Sequence, residues 1–154
     1  ASQDAIKYNC KDVLWLDAQE HKYVEEIGTS NAFFKIDGEV ITAPLDSGTI
    51  LPGITRDSVI QLLKKWGVPV SERKLSIDEI EEASKNGKLE EIFASGTAAV
   101  ISPIGTLCVE GEDFVVGDGS VGPLAQKLYD NIYGMQTGKV EDYMGWVYPL
   151  GLKA

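Results

Sequence analysis

Histidine and cysteine are scarce in this chain of 154 residues. The only histidine is His21, and the two cysteines, Cys10 and Cys108, lie far apart. No CxxC pair and no Cys/His spacing typical of a zinc site occurs, and a Ser-His-Asp triad would depend on the single histidine. We therefore predict no metal site. The low cysteine content favours a reducing compartment, and we predict a cytoplasmic protein.

Basic residues and long apolar runs are also lacking. There are 14 Lys and Arg against 24 Asp and Glu, which gives a formal net charge of −10. Nucleic acids and anionic membranes are bound by clustered Lys and Arg, and a spanning helix needs about 20 consecutive apolar residues. We predict neither a nucleic-acid nor a membrane partner. The acidic net charge does not exclude the binding of one small phosphate group, because such a group needs only local donors.

Glycine is plentiful, but the two common nucleotide-binding glycine motifs are missing. The richest stretch is GDGSVG at 117–122. It lacks the Lys-Ser/Thr of a Walker loop and the GxGxxG of a dinucleotide-binding loop, so we interpret it as a plain loop.

The remaining pattern predicts one globular domain of the α+β class. Hydrophobic residues make up 44% and charged residues 25% of the chain. Strands and helices mix without a steady βαβ rhythm, which favours a mostly antiparallel, barrel-like sheet with surrounding helices. The expected elements are a helix end at 1–9, a strand at 13–16, a hairpin turn at 37–38, helices after 55 and after 76, a short helix from 89 followed by a turn at 95–97 and a buried strand at 98–101, a hairpin at 107–116 and a helix at about 121–136.

Three stretches are candidate sites, and each also fits ordinary structure. The turn Gly53-Ile54-Thr55 opens into a helix, where free N–H groups favour an anion, but a threonine N-cap would look the same. Glu26 and its neighbour Glu25 should point to opposite faces of a strand, so one carboxylate should face the core side or both should be wet at a rim. The small residues at 95–98 leave either open amides or a tight turn.

Four stretches in order strongly resemble the branched-chain amino-acid aminotransferase family. They are VLWLDAQEHKYVEEIGTSNAFFKIDGEVITAPL, ILPGITRDSVIQLL, SERKLSIDEI and EEIFASGTAAVISPIG. The resemblance covers nearly the whole chain and corresponds to the larger, C-terminal domain of this fold type IV family, which uses pyridoxal 5′-phosphate. It implies that the intact enzyme exchanges the amino group of Leu, Ile or Val with 2-oxoglutarate, forming glutamate, and works as a homodimer.

The resemblance also assigns roles to individual residues. Glu26 matches the carboxylate that pairs with the protonated pyridine nitrogen of the cofactor. The phosphate-binding turn is matched by Gly53, Ile54 and Thr55, with a further phosphate contact from Thr97. The remaining matches are Leu51 against one face of the ring, Thr29 near cofactor and substrate, and the Thr97-Ala98 amides as donors to the substrate α-carboxylate.

The chain departs from the family pattern at several positions. Ser30 stands where the family often carries Met, and Ala99 and Ser102 replace the redox CxxC of some relatives. The Schiff-base lysine, which precedes a GNY sequence in the family, has no counterpart here. We therefore expect residues 1–154 to form a single domain, a fragment without the smaller N-terminal domain or the lysine segment, and to be inactive alone because that lysine anchors the cofactor and carries the proton.

Two alternatives remain open. A D-amino-acid aminotransferase or an aminodeoxychorismate lyase would have the same fold, although EIGTSNAFF and ILPGITRD favour the branched-chain group. A non-catalytic binding or assembly domain would explain the missing lysine as evolved loss.

Overall fold

The computed structural model describes residues 2–148 and 150, with side chains from residue 5 onward. The helices are α1 (Ser2–Lys7), α2 (Ile54–Lys65), α3 (Ile77–Lys85) and α4 (Pro123–Gln136). The strands are β1 (Leu14–Leu16), β2 (Val24–Ile27), β3 (Ser30–Ile36), β4 (Glu39–Thr42), β5 (Val70–Glu72), β6 (Leu89–Gly96), β7 (Val100–Ile104), β8 (Thr106–Val109) and β9 (Glu112–Val115).

The main sheet is centred on β3. This strand pairs antiparallel with β2 at its start, with β4 along its second half and with β6 on its other edge. Strands β1 and β7 extend the sheet antiparallel, and β5 joins β4 in parallel. The predicted α+β class with a mostly antiparallel sheet is confirmed, and the sheet is open where a barrel-like curve was expected.

Two apolar cores lie on the two faces of this sheet. Phe33 and Phe93 stack with ring centroids 5.1 Å apart, and α2 and α4 pack over them. The opposite face carries Phe34 and Ile92 and is covered by α3 and by Val116 beyond the β8–β9 hairpin. Alternate residues of β3 and β6 thus enter different cores, as the pleat requires.

The hairpin turns follow from local sequence. Asp37 and Gly38 have φ of 50° and 82°, and Ile36 pairs with Glu39 across them. Two positive φ values in a two-residue loop are the type I′ pattern, so the Asp-Gly prediction is confirmed. The β8–β9 hairpin turns in the same way at Glu110-Gly111, with φ of 51° and 87°.

Helix ends agree with the sequence in part. Ser76 caps α3 by accepting from the N–H of Glu79 at 3.2 Å. The sequence Ser76-x-x-Glu79 also fits a capping box, but the Glu79 carboxylate is ion-paired with Arg73 at 2.6 Å, and only the serine half of the box forms. Helix α4 begins at Pro123, later than the predicted Val121, which is about half exposed outside the helix.

The stretch at 89–101 corrects one prediction. The expected short helix is β6, the expected turn at 95–97 lies at 97–99, and the expected strand at 98–101 is β7. Glu90, Ala94 and similar residues favour helix locally, but six of the β3 residues pair with β6. Burial between two neighbouring strands outweighs the small differences in helix propensity.

Among the residues that the structure describes, no helix is long and apolar enough to cross a membrane. That same part of the chain holds no group of three His, Cys, Asp or Glu side chains arranged to bind a metal ion.

Candidate functional site

The predicted site residues converge on Asn31, at the start of the central strand. Glu26 at the end of β2 and Ser95 near the end of β6 are both cross-strand partners of Asn31. Residues opposite one another in a register row face the same side of the sheet. The three polar side chains therefore lie in a row across β2, β3 and β6, beside the loop that leads into α2.

Glu26 has one carboxylate oxygen tethered and the other open. Its Oε1 accepts from the N–H of Leu51 at 3.3 Å and lies 3.5 Å from Asn31 Nδ2. Within residues 2–148 and 150, no hydrogen bond or ion pair engages Oε2. The side chain is half-buried, so Oε2 remains available to an N–H donor of a ligand.

A β-bulge explains why the expected alternation fails here. Leu16 pairs with Val24 and Trp15 with Glu26, which leaves Glu25 as an extra residue on β2. Thr49 Oγ1 donates to Glu25 Oε1 at 2.6 Å. Both carboxylates thus reach the loop at 49–51, and the prediction that they point to opposite faces does not apply. Bulges frequently re-aim side chains next to functional sites.

The turn before α2 leaves the helix N-terminus without an internal cap. Gly53 is the N-cap residue, no side chain bonds to the first turn, and Thr55 lies inside the helix. The ordinary threonine N-cap considered from the sequence is therefore wrong. The N–H groups of Ile54, Thr55 and Arg56 have no acceptor within the described part of the chain. Free N–H groups at the positive end of the helix dipole form an anion site.

Gly53 is packed against the row of polar side chains. A Cβ atom added at this residue would lie 2.3 Å from Asn31 Oδ1 and 3.5 Å from Arg56 Cβ. The Gly53 N–H donates to Leu51 O at 2.8 Å, and Asn31 Nδ2 donates to the same carbonyl at 2.9 Å. Asn31 thus contacts the anion-binding turn directly, while its Nδ2 also approaches Glu26.

Two large apolar side chains stand uncovered at this place. Leu51 is 68% exposed and Ile54 is 87% exposed. Thr29 is also exposed, at the turn between β2 and β3 where Gly28 has a φ of 59°. Exposed apolar surface beside convergent polar groups is typical of a binding surface.

Thr97 and Ala98 form an exposed turn between β6 and β7, and the backbone beside them is strained. Val100 has a φ of 60°, and the Ile101 N–H donates to Ala99 O at 2.7 Å, which closes a γ-turn. A β-branched residue in the left-handed region costs about 1–3 kcal/mol and is found mostly at functional sites. Within the described residues, no hydrogen bond joins Thr97 to the turn before α2.

Asn31 was not among the sequence-predicted site residues, and Ser95 was predicted only as part of the stretch of small residues at 95–98. Ser95 is 1% exposed, and its Oγ has no hydrogen-bond partner within the described residues. Asn31 is 5% exposed. The sequence feature that could have identified Asn31 is its position. It is a polar residue two positions before Phe33, on the face of an otherwise apolar strand that enters the core.

An open cavity of about 1040 Å³ lies elsewhere, between α1, β1 and the β8–β9 hairpin, and none of the predicted site residues lines it. The candidate site is instead an open surface. It offers an acceptor at Glu26, anion donors at the start of α2, and Leu51 between them. This donor set fits an aromatic ligand with a protonated ring nitrogen and a phosphate, since each charged end meets a group of opposite character.

Comparisons with known proteins find a matching family model and similar sequences. Residues 1–107 match the family model described as amino-transferase class IV. The branched-chain-amino-acid aminotransferase 2 of Bacillus subtilis (strain 168) is 54% identical over 146 residues, which are 95% of this chain and 40% of that relative. The branched-chain-amino-acid aminotransferase of Mycobacterium tuberculosis (strain CDC 1551 / Oshkosh) is 40% identical, over 98% of this chain and 42% of the relative.

Solved structures resemble the fold over nearly the whole chain. The branched-chain amino acid aminotransferase from Escherichia coli has a TM-score of 0.78 at 33% identity, covering 98% of this chain and 47% of its own. A second branched-chain amino acid aminotransferase, complexed with N-(5′-phosphopyridoxyl)-L-glutamate, has a TM-score of 0.76 at 30% identity, covering 96% and 46%. The chain spans about 40% of the length of the curated relatives it matches.

Proposed function

This chain belongs to the amino-transferase class IV family, and from that premise we propose that it forms the larger, cofactor-binding domain of a pyridoxal-phosphate-dependent branched-chain aminotransferase. The observation that carries the proposal is the linked pair of charged sites. The Glu26 carboxylate and the uncapped start of α2 are joined through Leu51 and Asn31. The family's cofactor has a ring nitrogen and a phosphate to occupy these two ends.

The residues divide the work of holding this cofactor. Pyridoxal phosphate supplies, when bound, an electron-withdrawing ring that accepts charge from the amino acid's α-carbon. Oε2 of Glu26 keeps the proton on the ring nitrogen. The phosphate would be held by the N–H groups of Ile54 and Thr55 and by the hydroxyls of Thr55 and Thr97. Gly53, which has no side chain, leaves room for the phosphate to approach the start of α2. Leu51 would pack on one face of the ring, and Thr29 would lie near cofactor and substrate.

We assign the substrate α-carboxylate to the amides of Thr97 and Ala98. Both residues are exposed in a turn, and a strained Val100 fixes the backbone that follows. Preorganised amides bind an anion without rearranging. We propose leucine, isoleucine or valine as amino donors and 2-oxoglutarate as the acceptor that becomes glutamate. The names of the two curated relatives support this choice over a D-amino-acid aminotransferase or a lyase.

We propose further that residues 1–154 are one domain of a longer protein, which supplies the Schiff-base lysine and a smaller N-terminal domain. The coverage of about 40% of the relatives supports this division. The chain alone should then bind cofactor weakly and catalyse no transamination. We also propose that the intact protein acts as a homodimer in the cytoplasm, and the free thiols of Cys10 and Cys108 fit that compartment.

Cofactor titration tests the site. Pyridoxal phosphate added to the chain should bind saturably, which is seen as a shift of the cofactor absorbance. The binding should not involve an imine, so borohydride should not attach the cofactor to the chain by reduction. Thr55→Ala and Thr97→Ala should weaken binding, because each removes a phosphate donor. Thr106→Ala is the matched control, since this exposed threonine lies on β8. Equal affinity in all three variants and the unsubstituted chain would contradict the assignment.

The full-length gene product tests the activity. It should convert leucine and 2-oxoglutarate to glutamate, whereas the chain of 154 residues should not. Turnover of D-alanine or of aminodeoxychorismate in place of leucine would move the protein to another member of the fold. A gene without an upstream lysine would support the non-catalytic alternative.

A further inference from the structure

We infer that Asn31 is a positioning residue that couples the ring end of the site to its phosphate end. The inference rests on the proposed function. Nδ2 of Asn31 donates to Leu51 O at 2.9 Å and lies 3.5 Å from Glu26 Oε1. On its other side, Oδ1 is 2.3 Å from the place where a side chain on Gly53 would begin.

The position of Asn31 makes this coupling rigid. The residue is 5% exposed and lies on the central strand, between Glu26 on β2 and Ser95 on β6. A buried carboxamide that donates to a backbone carbonyl has little freedom to turn. The backbone of Leu51 is held at both of its polar atoms, since its N–H donates to Glu26 and its carbonyl accepts from Asn31 and Gly53.

This arrangement sets the span between the two charged ends. Glu26 is kept with Oε1 turned toward the loop, which leaves Oε2 toward a ring nitrogen. The same carboxamide sets how closely the Gly53 turn approaches, and therefore where the free N–H groups of α2 begin. A ligand that engages both ends gains affinity only when the span matches it, because binding at the second end is then intramolecular.

The test uses the full-length gene product with Asn31→Ala and Asn31→Leu. The first removes the carboxamide, and the second removes its hydrogen bonds while keeping a similar volume beside Gly53. Asn131→Ala is the control. Asn131 lies on α4 and also makes two side-chain hydrogen bonds, since it donates to Lys127 O at 2.8 Å and accepts from Tyr143 Oη at 2.7 Å.

Two readouts report the two ends separately. The nitrogen-15 shift of bound, ring-labelled pyridoxal phosphate reports the proton at Glu26. The ratio of the Kd for pyridoxal to the Kd for pyridoxal phosphate reports the contribution of the phosphate. Both Asn31 variants should move the shift toward that of a neutral pyridine and lower the ratio about tenfold, the effect of one lost charge-assisted hydrogen bond. Asn131→Ala should change neither.

The outcomes separate this inference from the proposed function. A merely structural role predicts a lower Tm in the Asn31 variants with both readouts unchanged, and that result overturns the inference. A change at only one end also overturns it, because the ends would then be independent. If the unsubstituted protein binds no pyridoxal phosphate, or binds it with a neutral ring nitrogen, the proposed function itself fails.

Discussion

Replacing Gly53 by alanine is a direct test of the packing at the candidate site. The φ of Gly53 is −66°, a value that alanine adopts without strain. The expected cost is therefore steric, because the new Cβ would lie 2.3 Å from Asn31 Oδ1. That carboxamide is buried and bonded to Leu51 O, so it cannot move without losing the contact.

The expected destabilisation is about 3 kcal/mol. Forcing a methyl group into a packed site costs about 1–3 kcal/mol. Loss of the Asn31–Leu51 hydrogen bond adds about 1 kcal/mol, and alanine is a poorer N-cap than glycine by about 0.5 kcal/mol. Gly48→Ala is the matched control. It has open space around it and a φ of 70°, so it should cost only about 1–2 kcal/mol from backbone strain.

A double-mutant cycle in urea separates the clash from other effects. Asn31→Ala removes the atom that the new methyl group would strike, so the two substitutions together should cost about 2 kcal/mol less than the sum of their separate effects. Additive costs, or a loss below about 0.5 kcal/mol for Gly53→Ala alone, would refute the reasoning.

Two further predictions concern stability. Glu91 is 4% exposed and accepts from the N–H groups of Leu124 and Ala125 at 3.0 and 2.9 Å. Glu91→Ala should therefore lower the free energy of unfolding, measured in urea, by about 3 kcal/mol. A loss under about 1 kcal/mol would contradict this prediction. The backbone N–H of Tyr23, followed by those of Glu20 and Lys22, lowers the pKa of Asp17 well below its usual value. A lowered folded-state pKa stabilises the fold above the unfolded pKa, and this stabilisation is lost as the pH falls. Between about pH 5 and about pH 2, the free energy of unfolding should therefore depend less on pH in Asp17→Asn than in the unsubstituted chain. Equal pH dependence in the two proteins would show that the hydrogen bonds to Asp17 make no such contribution.

Local signals in the sequence predicted the Asp37-Gly38 hairpin and the helix α2. Asp37-Gly38 predicts its own hairpin because few other dipeptides accept two positive φ values. The face formed by Val59, Leu62 and Leu63 predicts α2, and all three side chains are fully buried. These features depend on residues within a few positions of one another, so no distant contact has to be known.

The site was predictable only as separate pieces. Glu26, the turn at 53–55 and the small residues at 95–98 were identified as candidates from the sequence, and their assignment to one cofactor came from resemblance to a family. Their physical connection was not visible. Asn31 is a short polar residue whose importance lies in its cross-strand partners, Glu26 on β2 and the distant Ser95 on β6.

The sequence by itself determined the residue types of the site, the presence of α2 with its buried apolar face, and the α+β class. Helix caps, tight turns and hydrophobic periodicity are local properties, and they are encoded within one or two turns of chain. Only the tertiary structure decided that 89–96 is a central strand and that a bulge turns Glu25 and Glu26 toward one loop. Both depend on pairing between distant segments, where burial and cross-strand packing outweigh local preference.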